Sequence, residues 1–227
     1  KTAIDLNVCS ELLDLINKWA VASIQQTDAP RFCLNTISIA IETLSAMTQP
    51  DQYGVHNAAL DSLLKSKDSV IQILLRVASF DFVYDDIRQI PNPNQRSIAY
   101  DEAMARLPPD QQVVELNTKN YALMVLHRMF ERVQDNIPSL NLPFVQEPLL
   151  GESLSVMIWR RMWDLHQQIL RVVHRSPTGV SPMELKPIND NLETLHALAT
   201  MIYRDPACLQ QALALIGVPT NALDGTL

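Results

Sequence analysis

The chain has 227 residues, 47% of them apolar, and a formal charge of −7; that is enough material for one sizeable core, and the acidic balance argues against a nucleic-acid binder, which needs a basic footprint. With only 5 glycines and no alternating runs of β-branched residues, the sheet classes and their many glycine-bearing turns are disfavoured. The 3 cysteines, Cys9, Cys33 and Cys208, are far apart, odd in number and form no CxxC, the pattern of reduced core thiols in an intracellular reducing compartment, cytoplasm or nucleus.

No stretch of roughly 20 predominantly apolar residues, as a membrane span needs, is present; Phe32 to Ile41, for one, is uncharged over ten residues. No signal peptide is visible. A start on Lys1 rather than Met reads as a piece of a longer protein.

In chain order, the first helix is expected over Ala3 to Gln26, where Leu6, Cys9, Leu13, Ile16, Trp19, Ala20 and Ile24 follow a 3.6-residue period. Asp28 offers a cap and Pro30 a first-turn proline for the second helix. That helix carries Phe32, Cys33, Ile37, Ala40, Ile41, Leu44 and Met47 and stops at Pro50. Shorter helices follow over Gly54 to Lys65 and from Val70 to Phe80, the latter opened by Ser66 or Asp68 and extending towards Ile87.

Pro91-Asn92-Pro93-Asn94 breaks the pattern, because each proline pushes its predecessor out of the helical region. Asn94 then caps a helix to Leu107, and Pro108-Pro109-Asp110 is a second stop and restart. Gln111 to Asn136 reads as a helix with Val113, Val114, Tyr121, Met124, Phe130 and Val133 inward, and Asn117-Thr118 as a cap that would split it. Ile137 to Pro148 is apolar but proline-spaced, which suggests an extended segment.

Glu152 to Arg175 carries the strongest helical pattern. After it, Ser181-Pro182-Met183-Glu184 fits a capping box with proline at the first position. Pro187 is expected to cut that helix short, with Asn189 or Asp190 restarting it through Tyr203. Asp205-Pro206 opens a final helix, closed by Gly217 and Pro219.

The fold expectation is therefore all-α: an irregular antiparallel multi-helix bundle or a short degenerate α-solenoid, of about eight to ten helices. No fixed repeat period is present. Residues 1–217 read as a single helical domain, with 91–94 and 138–148 as places where it would divide, and 218–227 as a flexible tail.

The long helix holds two apolar stripes. Ile158, Met162, Leu165, Ile169 and Val172 are spaced four, three, four, three, and Trp159, Trp163, His166, Leu170 and Val173 repeat the spacing one residue on. Such a face is too wide for one neighbour. Either both stripes lie in the core, or Trp159 and Trp163 belong to a partner-binding surface, since Trp and Arg are enriched at interface hot spots. The polar side carries Arg160, Arg161, Arg171, Arg175 and His174 against Asp164. It is a solvated face, a docking patch for an acidic partner segment, or a contact for phosphate or nucleic acid.

Catalytic patterns are weak. Asp81 and Asp85, four apart with Asp86 beside them, would share a helix face, and paired carboxylates can hold Mg²⁺. The aspartate-rich and Asn-Asp motifs of helical terpenoid synthases are not matched: Gln89 stands at the third aspartate position, and Glu193 and Ala197 at the hydroxyl and final carboxylate positions of the later motif. His56, His127, His166, His174 and His196 make no HExxH, and no Walker loop, GxSxG or GxGxxG exists.

The expected function is thus a non-catalytic helical scaffold or adaptor domain that mediates protein–protein interaction in a larger complex, with no cofactor, no metal and no catalytic residue. Its partner would be a protein, through an acidic or amphipathic segment. Its candidate contact residues are Trp159, Arg160, Trp163, Arg171 and Arg175. The alternatives are an all-α enzyme and a small-ligand or lipid-binding helical bundle.

Overall fold

The computed structural model describes residues 8–18, 30–49, 58–79, 90, 92, 95, 98–99, 102, 106, 108–133, 154–175, 179–204 and 206–215. The helices are α1 (8–18), α2 (Pro30–Met47), α3 (Ala58–Lys65), α4 (Lys67–Ser79), α5 (Pro109–Val133), α6 (Leu154–Arg175), α7 (Pro182–Ile202) and α8 (Pro206–Leu215). The protein is all-α, with no strand among the described residues. No described helix is long and apolar enough to cross a membrane.

Proline marks four of the starts. Pro30, Pro109, Pro182 and Pro206 are each the first helical residue, where a missing N–H costs nothing and the fixed φ already suits the helix. Ser181 caps α7, its Oγ accepting from the Met183 amide at 3.3 Å. Asn92 Oδ1 accepts from the Gln95 amide at 3.4 Å, a contact of the capping kind; Asn94, the expected cap, lies outside the described residues. Between α6 and α7, Gly179 turns the chain at φ 111°, a backbone region that a Cβ makes costly.

α5 is the central helix. α2, α4 and α7 all pack along it, and α3 touches it. Its hydrogen bonds fix the directions of two neighbours. Tyr121 bonds Glu42 while Arg128 bonds Ser45 and Thr48, and Asn191 bonds Leu116 while Thr194 bonds Asn120. Residue numbers rise together in both pairs, so α2 and α7 each run parallel to α5. α6 lies outside this set, packed against α7 and α8 with a lesser contact to α4.

One cluster joins the helices. α2 contributes Leu34, Ile37, Ala40, Ile41 and Leu44; α4 contributes Val70, Ile71, Leu74 and Val77; α5 contributes Leu123, Leu126, Met129 and Phe130; α7 contributes Leu195, Leu198 and Ile202. Each large side chain so buried stabilises by roughly 1.5–3 kcal/mol. Cys9 and Ile16 from α1 belong to the same cluster, and Cys9 is a buried thiol; the side chains of Cys33 and Cys208 lie outside the described residues.

Three expectations for α5 and α7 are corrected. Asn117-Thr118 does not split α5: Thr118 is buried and its Oγ1 donates to the Val114 carbonyl at 2.6 Å, a bond made within the helix. Val113 is exposed rather than inward; it lies on the face of α5 that Asn117, Asn120 and Met124 continue, none of which is fully buried. Pro187 does not end a helix; it lies inside continuous α7. One turn on, Asn191, fully buried, donates through Nδ2 to the Pro187 carbonyl and to the Leu116 carbonyl of α5, both at 2.9 Å, and so ties this stretch of α7 to α5. Packing holds the backbone course that propensity alone would break.

The centre of α5 also buries an ion pair. Lys119 Nζ lies 2.8 Å from Glu115 Oε1, and the two side chains are 1% and 0% exposed. The carboxylate precedes the ammonium by one turn, the favourable order on a helix.

Candidate functional site

α6 is where the sequence places its candidate contact residues, and the fold treats its two stripes differently. Ile158 and Leu165 are fully buried, and Met162, Ile169 and Val172 pack half-buried against the core. The second stripe faces outward: Trp163 is 58% exposed, Leu170 50% and Val173 46%. Trp159, at its N-terminal end, is half-buried, and His166 in its middle is exposed. Other exposed large apolar residues, among them Ile39, Ile98 and Met183, lie on separate elements and are the scattered kind any surface carries. The α6 stripe is three such residues in one line.

His166 has a fixed ring. Its Nδ1 lies 2.7 Å from the Met162 carbonyl; a carbonyl only accepts, so Nδ1 carries the hydrogen and Nε2 is left for an outside group. His196 of α7 stands beside it, ring centroids 6.1 Å apart and tilted by 41°. α7 therefore borders the stripe at its midpoint. No group of three or more His, Cys, Asp or Glu side chains that could hold a metal ion occurs among the described residues.

Arg161 departs from its expected place on the polar side. It is 9% exposed, with Nε and Nη2 buried and without a hydrogen-bond partner. The spacing carried the signal: Ile158, Arg161 and Leu165 stand three and four apart, so Arg161 occupies an inward position on the same face as two core residues. Of the other candidates, Arg160, Arg171 and Arg175 lie on α6, their side chains outside the described residues. Asp81, Asp85 and Asp86, the 138–148 segment and the 218–227 tail also lie outside them.

Compared with known proteins, the chain matches no family model, and no curated protein and no solved structure is significantly similar to it. Its class is the one the fold defines: an all-α protein built around one enclosed helix, with a second long helix presenting an apolar line outward.

Proposed function

We propose that this chain is a non-catalytic helical scaffold or adaptor domain that holds a protein partner through the outer stripe of α6, within an intracellular complex. One observation carries the reading: Trp163, Leu170 and Val173, about half exposed each, share one helix face. A Trp with aliphatic neighbours in line is the composition of an interface anchor. The inner stripe of the same helix packs on the core, and of the outer stripe His166 meets α7 through His196 while Trp163, Leu170 and Val173 stay about half exposed.

In-cell photocrosslinking tests it. A photoreactive residue replaces Trp163 or Leu170 in the native protein, and Met183, exposed alone at 83%, serves as the control position. A protein captured from 163 and 170 but not from 183 is the expected result. Equal capture from all three, or none from any, removes the reading.

A further inference from the structure

The geometry points to a two-histidine site for a divalent transition-metal ion of the Zn²⁺ or Ni²⁺ kind, bridging His166 of α6 and His196 of α7. It goes beyond the docking role and does not depend on it.

The two rings come from different helices and meet at the surface. Both residues are exposed, with ring centroids 6.1 Å apart and planes tilted by 41°. Two imidazoles on one tetrahedral ion, with metal–nitrogen bonds of about 2.0 Å, hold their ring centres about 5 Å apart. The pair is therefore open by only about 1 Å relative to a shared ion. His196 can close that gap. Its ring makes no hydrogen bond to a described residue, and an exposed side chain changes rotamer on a fast timescale.

His166 already has the orientation of a ligand. Its Nδ1–H is engaged by the Met162 carbonyl at 2.7 Å, so the lone pair is on Nε2. Metal-bound histidines almost always donate their second nitrogen to a carbonyl, a carboxylate or water, which fixes the tautomer and the ring and raises the basicity of the ligating nitrogen. Here the backbone of α6 supplies that partner one turn back. The site has no local sequence signature such as HExxH, because its two members lie on separate helices.

The donor set selects the ion. Neutral imidazole nitrogens suit Zn²⁺, Ni²⁺ and Cu²⁺, whereas Mg²⁺ and Ca²⁺ take oxygen ligands. No third His, Cys, Asp or Glu joins the pair among the described residues, so water fills the remaining positions, as it does at the open position of a catalytic zinc site. An ion held this way ties α6 to α7. It meets both ligands together only in the folded hairpin, so its occupancy is linked to stability. Along α6 it sits between Trp163 and Leu170, one turn from each.

Calorimetric titration of ZnCl₂ and of NiCl₂ into the full chain, stripped with chelator and kept reduced, tests the site. One ion per chain is expected. Binding should weaken at least about tenfold in His166→Gln and in His196→Gln alike, and should be unchanged in His174→Gln, an exposed histidine two turns further along α6. MgCl₂ should give no binding. The urea midpoint of the wild type should rise with Zn²⁺ and that of the two variants should not, while all three share one midpoint without metal, because both side chains are exposed. No binding of either ion overturns the proposal. So does binding that survives either substitution, binding lost equally in His174→Gln, or binding abolished by alkylating the cysteines instead. Capture of a protein by crosslinking from position 163 bears only on the docking role, and the metal titration only on the histidine pair.

Discussion

Arg128 on α5 holds the end of α2 through Ser45: its Nη1 donates to the Ser45 carbonyl at 2.5 Å and to Ser45 Oγ at 3.2 Å, with Thr48 Oγ1 at 3.1 Å. A cation here meets the carbonyls that the last turn of α2 leaves without helical partners, at the negative end of the helix dipole. Burial lowers the Arg128 pKa from its ordinary value, yet the group stays charged at any working pH. Arg128→Met is expected to cost about 2–3 kcal/mol, read as a shift in urea midpoint at unchanged slope. Arg128→Lys should recover only part of it, because the shorter lysine does not bring its ammonium to the place of Nη1 without strain and that compact, strongly hydrated ion is costlier to bury than a guanidinium. A loss under about 0.5 kcal/mol would show that the cap is dispensable.

Asn191 is the second tie across helices. It spans the Pro187 and Leu116 carbonyls from a fully buried position. Asn191→Leu removes two hydrogen bonds and should destabilise by about 2–3 kcal/mol. Asn191→Asp should be worse, since it sets a carboxylate against two carbonyl oxygens in a dry site. Denaturant titration of the pair at neutral pH tests the ranking, and an Asp variant as stable as wild type contradicts it.

The buried Glu115–Lys119 pair calls for a double-mutant cycle. Glu115→Leu or Lys119→Met alone leaves a charge in the core and should cost about 3–5 kcal/mol. The double variant Glu115→Leu/Lys119→Met removes both charges and should recover most of that loss. Additive losses in the double variant would mean that the pair is not the energetic unit.

Tyr121 gives the fold an alkaline dependence. Burial, then the Glu42 charge, then the 3.3 Å hydrogen bond to Glu42 raise its phenol above the ordinary 10.0. An unfolded chain deprotonates this phenol first, so its contribution is fully present below that value and is lost as pH rises through the higher folded one. Stability followed between about pH 8 and 11.5 should fall less steeply in Tyr121→Phe. Identical slopes would contradict the assignment.

The two stripes of α6 should separate by stability. Leu165→Ala or Ile158→Ala, from fully buried positions, is expected to cost about 2–5 kcal/mol, and Trp163→Ala no more than about 0.5 kcal/mol. Arg161→Met runs against intuition: removing a buried charge whose Nε and Nη2 lack partners should stabilise by about 1–2 kcal/mol. A Trp163→Ala variant that unfolds would place that side chain in the core and undo the docking role.

Helix content and most helix starts were legible because they are local. Pro30, Pro109, Ser181-Pro182 and Pro206 open helices where cap and first-turn chemistry says they should. The inward face of α2 was equally readable, with Ile37, Ala40, Ile41 and Leu44 all buried. The candidate site was legible as a helix and a pair of stripes, and no further. Nothing local distinguishes Leu165 from Trp163, and the inward place of Arg161 follows from its spacing only once Ile158 and Leu165 are known to be the buried stripe.

The sequence by itself determined an all-α chain and the points at which its helices begin, because caps, prolines and 3.6-residue periodicity act within a turn or two. The tertiary structure decided the rest. It carried α7 unbroken through Pro187 and set Asn191 against Leu116, ran α2 and α7 parallel to α5, and turned Ile158, Arg161 and Leu165 inward while leaving Trp163, Leu170 and Val173 outside. Two stripes with the same spacing are equivalent to an isolated helix. Only the placement of α7 and α8 against one of them breaks that equivalence, and placement is set by contacts between residues far apart in the chain.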